Sequence, residues 1–67
     1  MSSKIGENIR KLRQQKKMSQ DRLSKEANLA LNTVVKIETV EDPNPTLETL
    51  QKIAKALGVS IEKLLKT

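Results

Sequence analysis

The amino-acid sequence predicts a compact all-α domain of five short helices. Apolar residues recur at spacings of three and four along five stretches of the 67-residue chain, which is the periodicity of a helix face. Residues that favour helix ends, namely Ser, Thr, Asn and Gly, lie between these stretches. No internal repeat, low-complexity tract or linker divides the chain, so we expect residues 1–67 to form a single domain.

The first helix is predicted from about Lys4 to Lys17, after the candidate caps Ser2 and Ser3. Its apolar stripe consists of Ile5, Ile9 and Leu12. Gly6 should weaken the first turn, because glycine is a poor helix former. Met18 follows the helix, and we expect its side chain to fold back into the core.

The second and third helices, in residues 19–38, are predicted from a break in the apolar pattern. The apolar positions used here are Leu23, Ala27, Leu29, Val34 and Ile37. One continuous helix would not keep them on one face, whereas a break near Asn28 would, and Asn tolerates the left-handed backbone. We therefore expect helices from about Gln20 to Ala27, capped by Ser19, and from about Ala30 to Glu38. Such a pair forms a helix-turn-helix unit, whose second helix enters the DNA major groove.

The fourth and fifth helices are predicted after a loop from Thr39 to Pro45. Thr46 should cap a helix from Leu47 to about Leu57, and Gly58 should end it in the left-handed conformation. Its apolar face consists of Leu47, Leu50, Ile53, Ala54 and Leu57. Ser60 should cap the short fifth helix, which carries the apolar residues Ile61, Leu64 and Leu65.

The composition argues against enzymatic chemistry and against a metal site or cofactor. The chain has no His and no Cys, so it lacks the usual general base, the commonest metal ligand and any thiolate or disulfide. It also lacks Phe, Tyr and Trp, on which RNA-binding sheets and single-strand platforms depend. No apolar run approaches the roughly 20 residues of a membrane span, and no signal-peptide core is present. We therefore expect a non-enzymatic protein of the cytoplasm that does not bind membranes.

The positive charge is concentrated in the N-terminal half of the chain. The net charge of +5 divides into +6 for residues 1–36 and −1 for residues 37–67. A basic half that contains the helix pair is consistent with an electrostatic footprint for nucleic acid. Taken alone, the same charge is equally consistent with an ordinary solvated surface.

Several spaced motifs together resemble a known family. They are SQDRLSKEANLALNTVVKIE at residues 19–38 and NPTLETLQKIAKALGVSIEKLL at residues 44–65. The chain resembles the lambda-repressor and Cro type of helix-turn-helix regulators, the XRE family, from Ile5 to Leu65. The resemblance implies a five-helix fold, double-stranded DNA as the partner, and a transcriptional regulator that acts as a repressor or controller.

The resemblance also implies which residues contact DNA. Gln20 matches a position that holds the DNA backbone, and Ser19 can bond a helix amide or a phosphate. The third helix should read the major groove through residues at or near its first turns: Ala30, Leu31, Asn32, Thr33, Val35 and Lys36. Asn suits adenine edges, Lys suits guanine, and apolar side chains suit thymine methyl groups. Arg10 and Lys11 are candidates for phosphate contacts, and Arg13 and Glu38 match an ion pair between the first and third helices.

One departure from the family pattern keeps a second function open. The loop after the third helix often supplies basic phosphate contacts, but here it carries Glu41 and Asp42, which would repel phosphate. With the apolar Leu31 and Val35, these residues favour the alternative that the fold binds a protein. A further alternative is that the chain is the DNA-binding piece of a longer regulator.

The sequence also suggests a homodimer on a palindromic or pseudo-palindromic operator. One recognition helix reads only a few base pairs, too few to single out a genomic site, and a two-fold dimer doubles the contacts. The expected dimer surface consists of Val59, Ile61, Leu64 and Leu65, which crowd into seven residues. The competing interpretation is that all four residues complete the core of the monomer.

Overall fold

The structure is a computed structural model that describes residues 4–41 and 43–66, and every regular element in these ranges is an α-helix. The five helices are α1 (Lys4–Gln15), α2 (Gln20–Glu26), α3 (Leu31–Thr39), α4 (Leu47–Leu57) and α5 (Ile61–Leu65). The predicted five-helix all-α fold is thus confirmed. The predicted caps Ser2 and Ser3 and the acidic residue Asp42 lie outside the described residues.

Left-handed backbone conformations set two of the helix ends. Helix α1 ends at Gln15 rather than near Lys17, because Lys17 has a φ of 54° and cannot continue a right-handed helix. Asn28 has a φ of 57°, which confirms the predicted break between α2 and α3. The Leu29 N–H donates to the Ser24 carbonyl across this turn at 2.8 Å. This tight turn brings α3 against α2.

Capping side chains begin two of the helices as predicted. The Ser19 hydroxyl accepts the Arg22 N–H at 3.0 Å, and the Thr46 hydroxyl accepts the Thr49 N–H at 3.1 Å. Gly58 ends α4 with a φ of 70°, as expected of a left-handed cap. Ser60 occupies the N-cap position of α5 with extended backbone, as predicted, but its side chain makes no capping hydrogen bond.

One aliphatic core joins all five helices. Its buried members are Ile9, Met18, Leu23, Val34, Ile37, Leu50, Ile53, Ala54, Leu57 and Leu64. Met18 is therefore in the core, as expected. Leu47 is not: it lies in the first turn of α4 and is 62% exposed, so it does not belong to the buried face predicted for that helix. No helix of the described residues is long and apolar enough to cross a membrane.

Gly6 allows α1 and α3 to approach each other closely. A Cβ added at Gly6 would lie 2.5 Å from the Ile37 carbonyl oxygen and 3.1 Å from the Glu38 Cα. The expectation that Gly6 only weakens its helix is therefore incomplete. The missing side chain lets the two backbones touch, which fixes the position of α3 relative to α1.

Candidate nucleic-acid interface

Helix α3 has a buried face and an exposed face. Val34, Ile37 and Glu38 are buried, and they hold the helix against the core. The exposed residues of the first turns are Ala30, Leu31, Asn32 and Lys36, with Thr33 and Val35 partly buried. All six predicted reading positions thus keep side-chain surface that a ligand can touch. Leu31 is a large apolar side chain that is 43% exposed.

The start of α3 has no capping side chain. Ala30 occupies the cap position with extended backbone, and its side chain makes no hydrogen bond there. Packing therefore holds α3 in place, since its buried residues and the Gly6 contact determine its position. A helix anchored along one side presents its other side in a fixed orientation.

A buried carboxylate connects α3 to the start of α2 and to α1. Glu38 is fully buried, and its two oxygens accept hydrogen bonds from Arg13, at 2.8 Å from Nε and 3.0 Å from Nη2. The ion pair implied by the resemblance is therefore present and bidentate. Arg13 is itself only 12% exposed, and its Nη1 also donates to the Met18 carbonyl at 2.8 Å. The pair fixes the end of α3 to α1 through charge-assisted hydrogen bonds.

Two further side chains contact this carboxylate, and no sequence pattern indicates either contact. The Gln20 Nε2 donates to Glu38 Oε1 at 3.1 Å. The Arg10 Nε lies 3.5 Å from the same oxygen, on a side chain that is 44% exposed. Gln20, predicted to hold the DNA backbone, is thus oriented by the same group that anchors α3. This hydrogen bond couples the first residue of α2 to the last turn of α3.

The two cations predicted on α1 do not share a face. Arg10 points toward α3, where it contacts Glu38. Lys11 lies on the other flank of α1, in a groove between α1 and α5. The structure therefore separates Arg10, beside the helix-turn-helix unit, from Lys11, and the phosphate contacts of both residues stay predictions.

Lys36 is the cation that the exposed face of α3 offers to a ligand. Two basic residues of α2 are already paired within their own helix, Arg22 with Glu26 at 2.7 Å and Lys25 with Asp21 at 3.1 Å. Within the described ranges, no carboxylate lies within 4.0 Å of the Lys36 amine. Among the described residues, the positive charge of Lys36 therefore has no ion-pair partner.

The proposed dimer residues divide between the core and the surface. Leu64 is fully buried, so it completes the core of the monomer and is not available to a partner. Val59 and Ile61 are partly buried against the core, and Leu65 is 48% exposed. The dimer prediction therefore loses Leu64, because α5 must bury one leucine to pack on the rest of the fold.

Among the described residues no group of three His, Cys, Asp or Glu side chains could hold a metal ion.

Comparisons with known proteins identify relatives of this fold. A family model described as helix-turn-helix matches residues 9–64. The immunity repressor protein of Bacillus phage phi105 is 33% identical over 60 residues, which are 90% of this chain and 41% of the repressor. The chain thus spans about two-fifths of the length of that relative.

Two solved structures match almost the whole chain. The restriction-modification controller protein C.AhdI from Aeromonas hydrophila superposes with a TM-score of 0.85, at 31% identity, over 91% of each chain. The N-terminal DNA-binding domain of SinR from Bacillus subtilis superposes with a TM-score of 0.87, at 32% identity, over 94% of this chain and 91% of that domain. The five-helix architecture is therefore that of these domains.

Proposed function

The chain belongs to the helix-turn-helix family of the XRE type, and from that premise we propose that it regulates transcription by binding duplex DNA with α3 in the major groove. The named relatives are a repressor, a controller protein and a DNA-binding domain, none of them an enzyme. The expectation of a non-enzymatic protein is thus confirmed by its relatives. Repression or control of transcription is the activity that their names support.

The observation that carries this proposal is the exposed face of α3. Asn32 and Lys36 are exposed one helical turn apart, and the opposite side of the helix is locked in the core. Asn can bond adenine N6 and N7, and Lys can donate to guanine O6 and N7. Leu31 and Val35 lie beside them, where thymine methyl groups would cover apolar surface that water now contacts. Thr33 and Ala30 complete the surface that faces the groove.

The start of α2 should contact the DNA backbone next to this face. Ser19 and Gln20 precede and begin α2, and the bond from Gln20 to Glu38 orients the glutamine relative to α3. A phosphate contact at Gln20 would then fix how α3 sits in the groove, as backbone contacts do in protein–DNA complexes. Arg10, on the same carboxylate, is the α1 cation that best fits this role.

We also propose that two copies bind a palindromic or pseudo-palindromic operator. Two-fold symmetry would place the recognition helices in successive major grooves, about 34 Å apart. Leu65, with the partly buried Val59 and Ile61, is the apolar surface of α5 that a second copy could cover. A regulator acts where the DNA is, so this function agrees with the cytoplasmic location expected from the sequence.

Salt dependence of duplex binding tests the proposal. If each subunit neutralises about three to five phosphates, the logarithm of affinity should fall with the logarithm of salt at a slope of roughly −3 to −5 per half-site. Gel-shift titrations at several salt concentrations measure this slope. No binding to duplex DNA, or binding that salt does not weaken, would contradict the proposal.

A further inference from the structure

A groove between α1 and α5 collects positive charge that the proposed DNA interface does not use. The groove has a volume of about 320 Å³, and four lysines line it: Lys4 and Lys11 from α1, Lys63 and Lys66 from α5 and its end. Among the described residues of the lining, Glu7 is the one acidic residue. Four like charges around so small a space repel one another, and an anionic ligand would relieve that repulsion.

Among residues 4–41 and 43–66, no carboxylate lies within ion-pair distance of these four lysines. In the described part of the chain, the ion pairs within 4.0 Å involve Arg10, Arg13, Arg22 and Lys25, and none involves a lysine of the groove. Their ammonium groups are therefore available to an incoming anion. In α2, by contrast, Arg22 and Lys25 each form an ion pair with an acidic residue of the same helix.

The groove and the DNA-reading face lie on different flanks of α1. Gly6, Arg10 and Arg13 face α3 and meet it at Ile37 and Glu38. Asn8 faces α5, where its amide donates to the carbonyls of Leu64, at 2.8 Å, and Lys66, at 2.6 Å. These two hydrogen bonds join α1 to the C-terminal end of α5, the two elements that line the groove. A ligand in the groove would thus leave the exposed face of α3 free.

The chemistry of the groove lining favours a peptide over a nucleic acid. The lining contains no arginine, the residue best suited to planar contacts with phosphates. It does contain the partly buried Leu12 and the amide of Gln15, which can contact apolar groups and backbone groups of a peptide.

From these observations we propose that the groove between α1 and α5 binds an extended acidic segment of a partner protein. Carboxylates of the segment would pair with Lys4, Lys11, Lys63 and Lys66, and its backbone would lie over Asn8 and Leu12. The protein would then bind DNA through α3 and a second protein through the opposite flank of α1. This inference goes beyond the proposed function and does not depend on it.

Binding of a fluorescent octaglutamate peptide, followed by anisotropy at low ionic strength, tests this inference. The groove variant carries Lys11→Gln and Lys63→Gln, and the matched control carries Lys52→Gln and Lys55→Gln on α4, outside the groove. Both variants lose the same two charges. We expect the groove variant to bind the peptide about fivefold to tenfold more weakly, and the control to change by less than about twofold.

Three results would overturn the inference. The first is that the unaltered protein does not bind the peptide, and the second is that both variants bind the peptide equally more weakly. The third is that only the groove variant loses its binding to a short mixed-sequence DNA duplex, which would assign the groove to nucleic acid. Thermal unfolding verifies that each variant is folded. A second groove variant, Lys4→Gln with Lys66→Gln, replaces the first if that one does not fold, with the same expected loss.

Discussion

At the scale of single residues, Glu38 is the group on which three helices converge. Its carboxylate is fully buried and accepts from Arg13 and Gln20, with Arg10 beside it. A buried charge is tolerated only when it is paired and hydrogen-bonded, and here it has three polar partners. The Oε1 atom of Glu38 accepts hydrogen bonds from both Arg13 Nη2 and Gln20 Nε2. Fold stability and the proposed DNA contact thus depend on one side chain.

The unequal burial of its two arginines leads to a prediction about stability. Arg13→Ala should lower the free energy of unfolding by about 3–5 kcal/mol, because it leaves a buried carboxylate without its bidentate partner. Arg10→Ala should cost less than about 1 kcal/mol, because Arg10 is 44% exposed and its ion pair is long. Urea denaturation measures both. If both variants lost the same free energy of unfolding, the Arg13 pair would be weak. If Arg13→Ala does not fold, Arg13→Lys replaces it, and its expected loss of unfolding free energy lies between those of the other two variants.

The sequence could predict only part of this network. Arg13 and Glu38 were identified because they match a family pattern, and the structure contains the pair. The bond from Gln20 could not be predicted, because an exposed first-turn glutamine has no spacing that signals a partner 18 residues away. Contacts between distant residues depend on how the helices pack, which the periodicity of each helix does not encode.

At the scale of elements, the contact between α1 and α3 depends on the absence of a side chain at Gly6. Helix propensity alone predicts that Gly6→Ala stabilises α1 by about 1 kcal/mol. The structure predicts the opposite, since the new Cβ would meet the Ile37 carbonyl oxygen at 2.5 Å. We expect a net loss of about 1–3 kcal/mol, the usual cost of overpacking.

Thermal unfolding of Gly6→Ala and of a control variant in the same helix measures this effect. Gln14→Ala changes an exposed, uncharged residue of α1 and should alter the free energy of unfolding by less than about 0.5 kcal/mol. If Gly6→Ala raised the melting temperature, the close approach of α1 and α3 would be refuted.

Helix boundaries show what local signals can and cannot predict. Ser19, Thr46 and Gly58 lie where their chemistry predicts, since each satisfies backbone groups within a few residues. Leu47 belongs to the apolar pattern of α4 yet is 62% exposed at the first residue of that helix. The periodicity identifies the apolar face of the helix but not which of its residues the rest of the fold covers.

At the scale of the whole molecule, the division of α5 between core and surface leads to a prediction about assembly. Leu64 fills the core, whereas Leu65 remains 48% exposed. On a palindromic duplex we expect two chains per site, and Leu65→Ser should weaken binding of the second chain. Leu47→Ser, at a leucine that is 62% exposed on α4, is the matched control and should change nothing. Sedimentation of the protein–DNA mixture measures the ratio, and one chain per palindrome at saturation would refute the dimer.

The all-α architecture could be predicted from the sequence because its signals are local and agree with one another. Periodicity, caps and the break at Asn28 all indicated five helices, and the structure has them. The candidate site was less predictable. The face of α3 followed from its pattern, but the separation of Arg10 from Lys11 did not, since it depends on how α3 and α5 pack on either side of α1.

We expect the exposed face of α3 to read base sequence in duplex DNA. Parallel selection of bound sites from a random duplex library tests this expectation. The unaltered protein and the variant with Asn32→Ala and Lys36→Ala are each used to enrich bound sites, with Lys55→Ala as a control away from α3. A base-edge contact contributes about 1–3 kcal/mol of discrimination.

We expect the unaltered protein and the control to enrich the same DNA motif. We expect the α3 variant to lose or change the preferred bases at particular positions of that motif. No common motif with the unaltered protein, or the same motif with the same base preferences in the α3 variant, would contradict it.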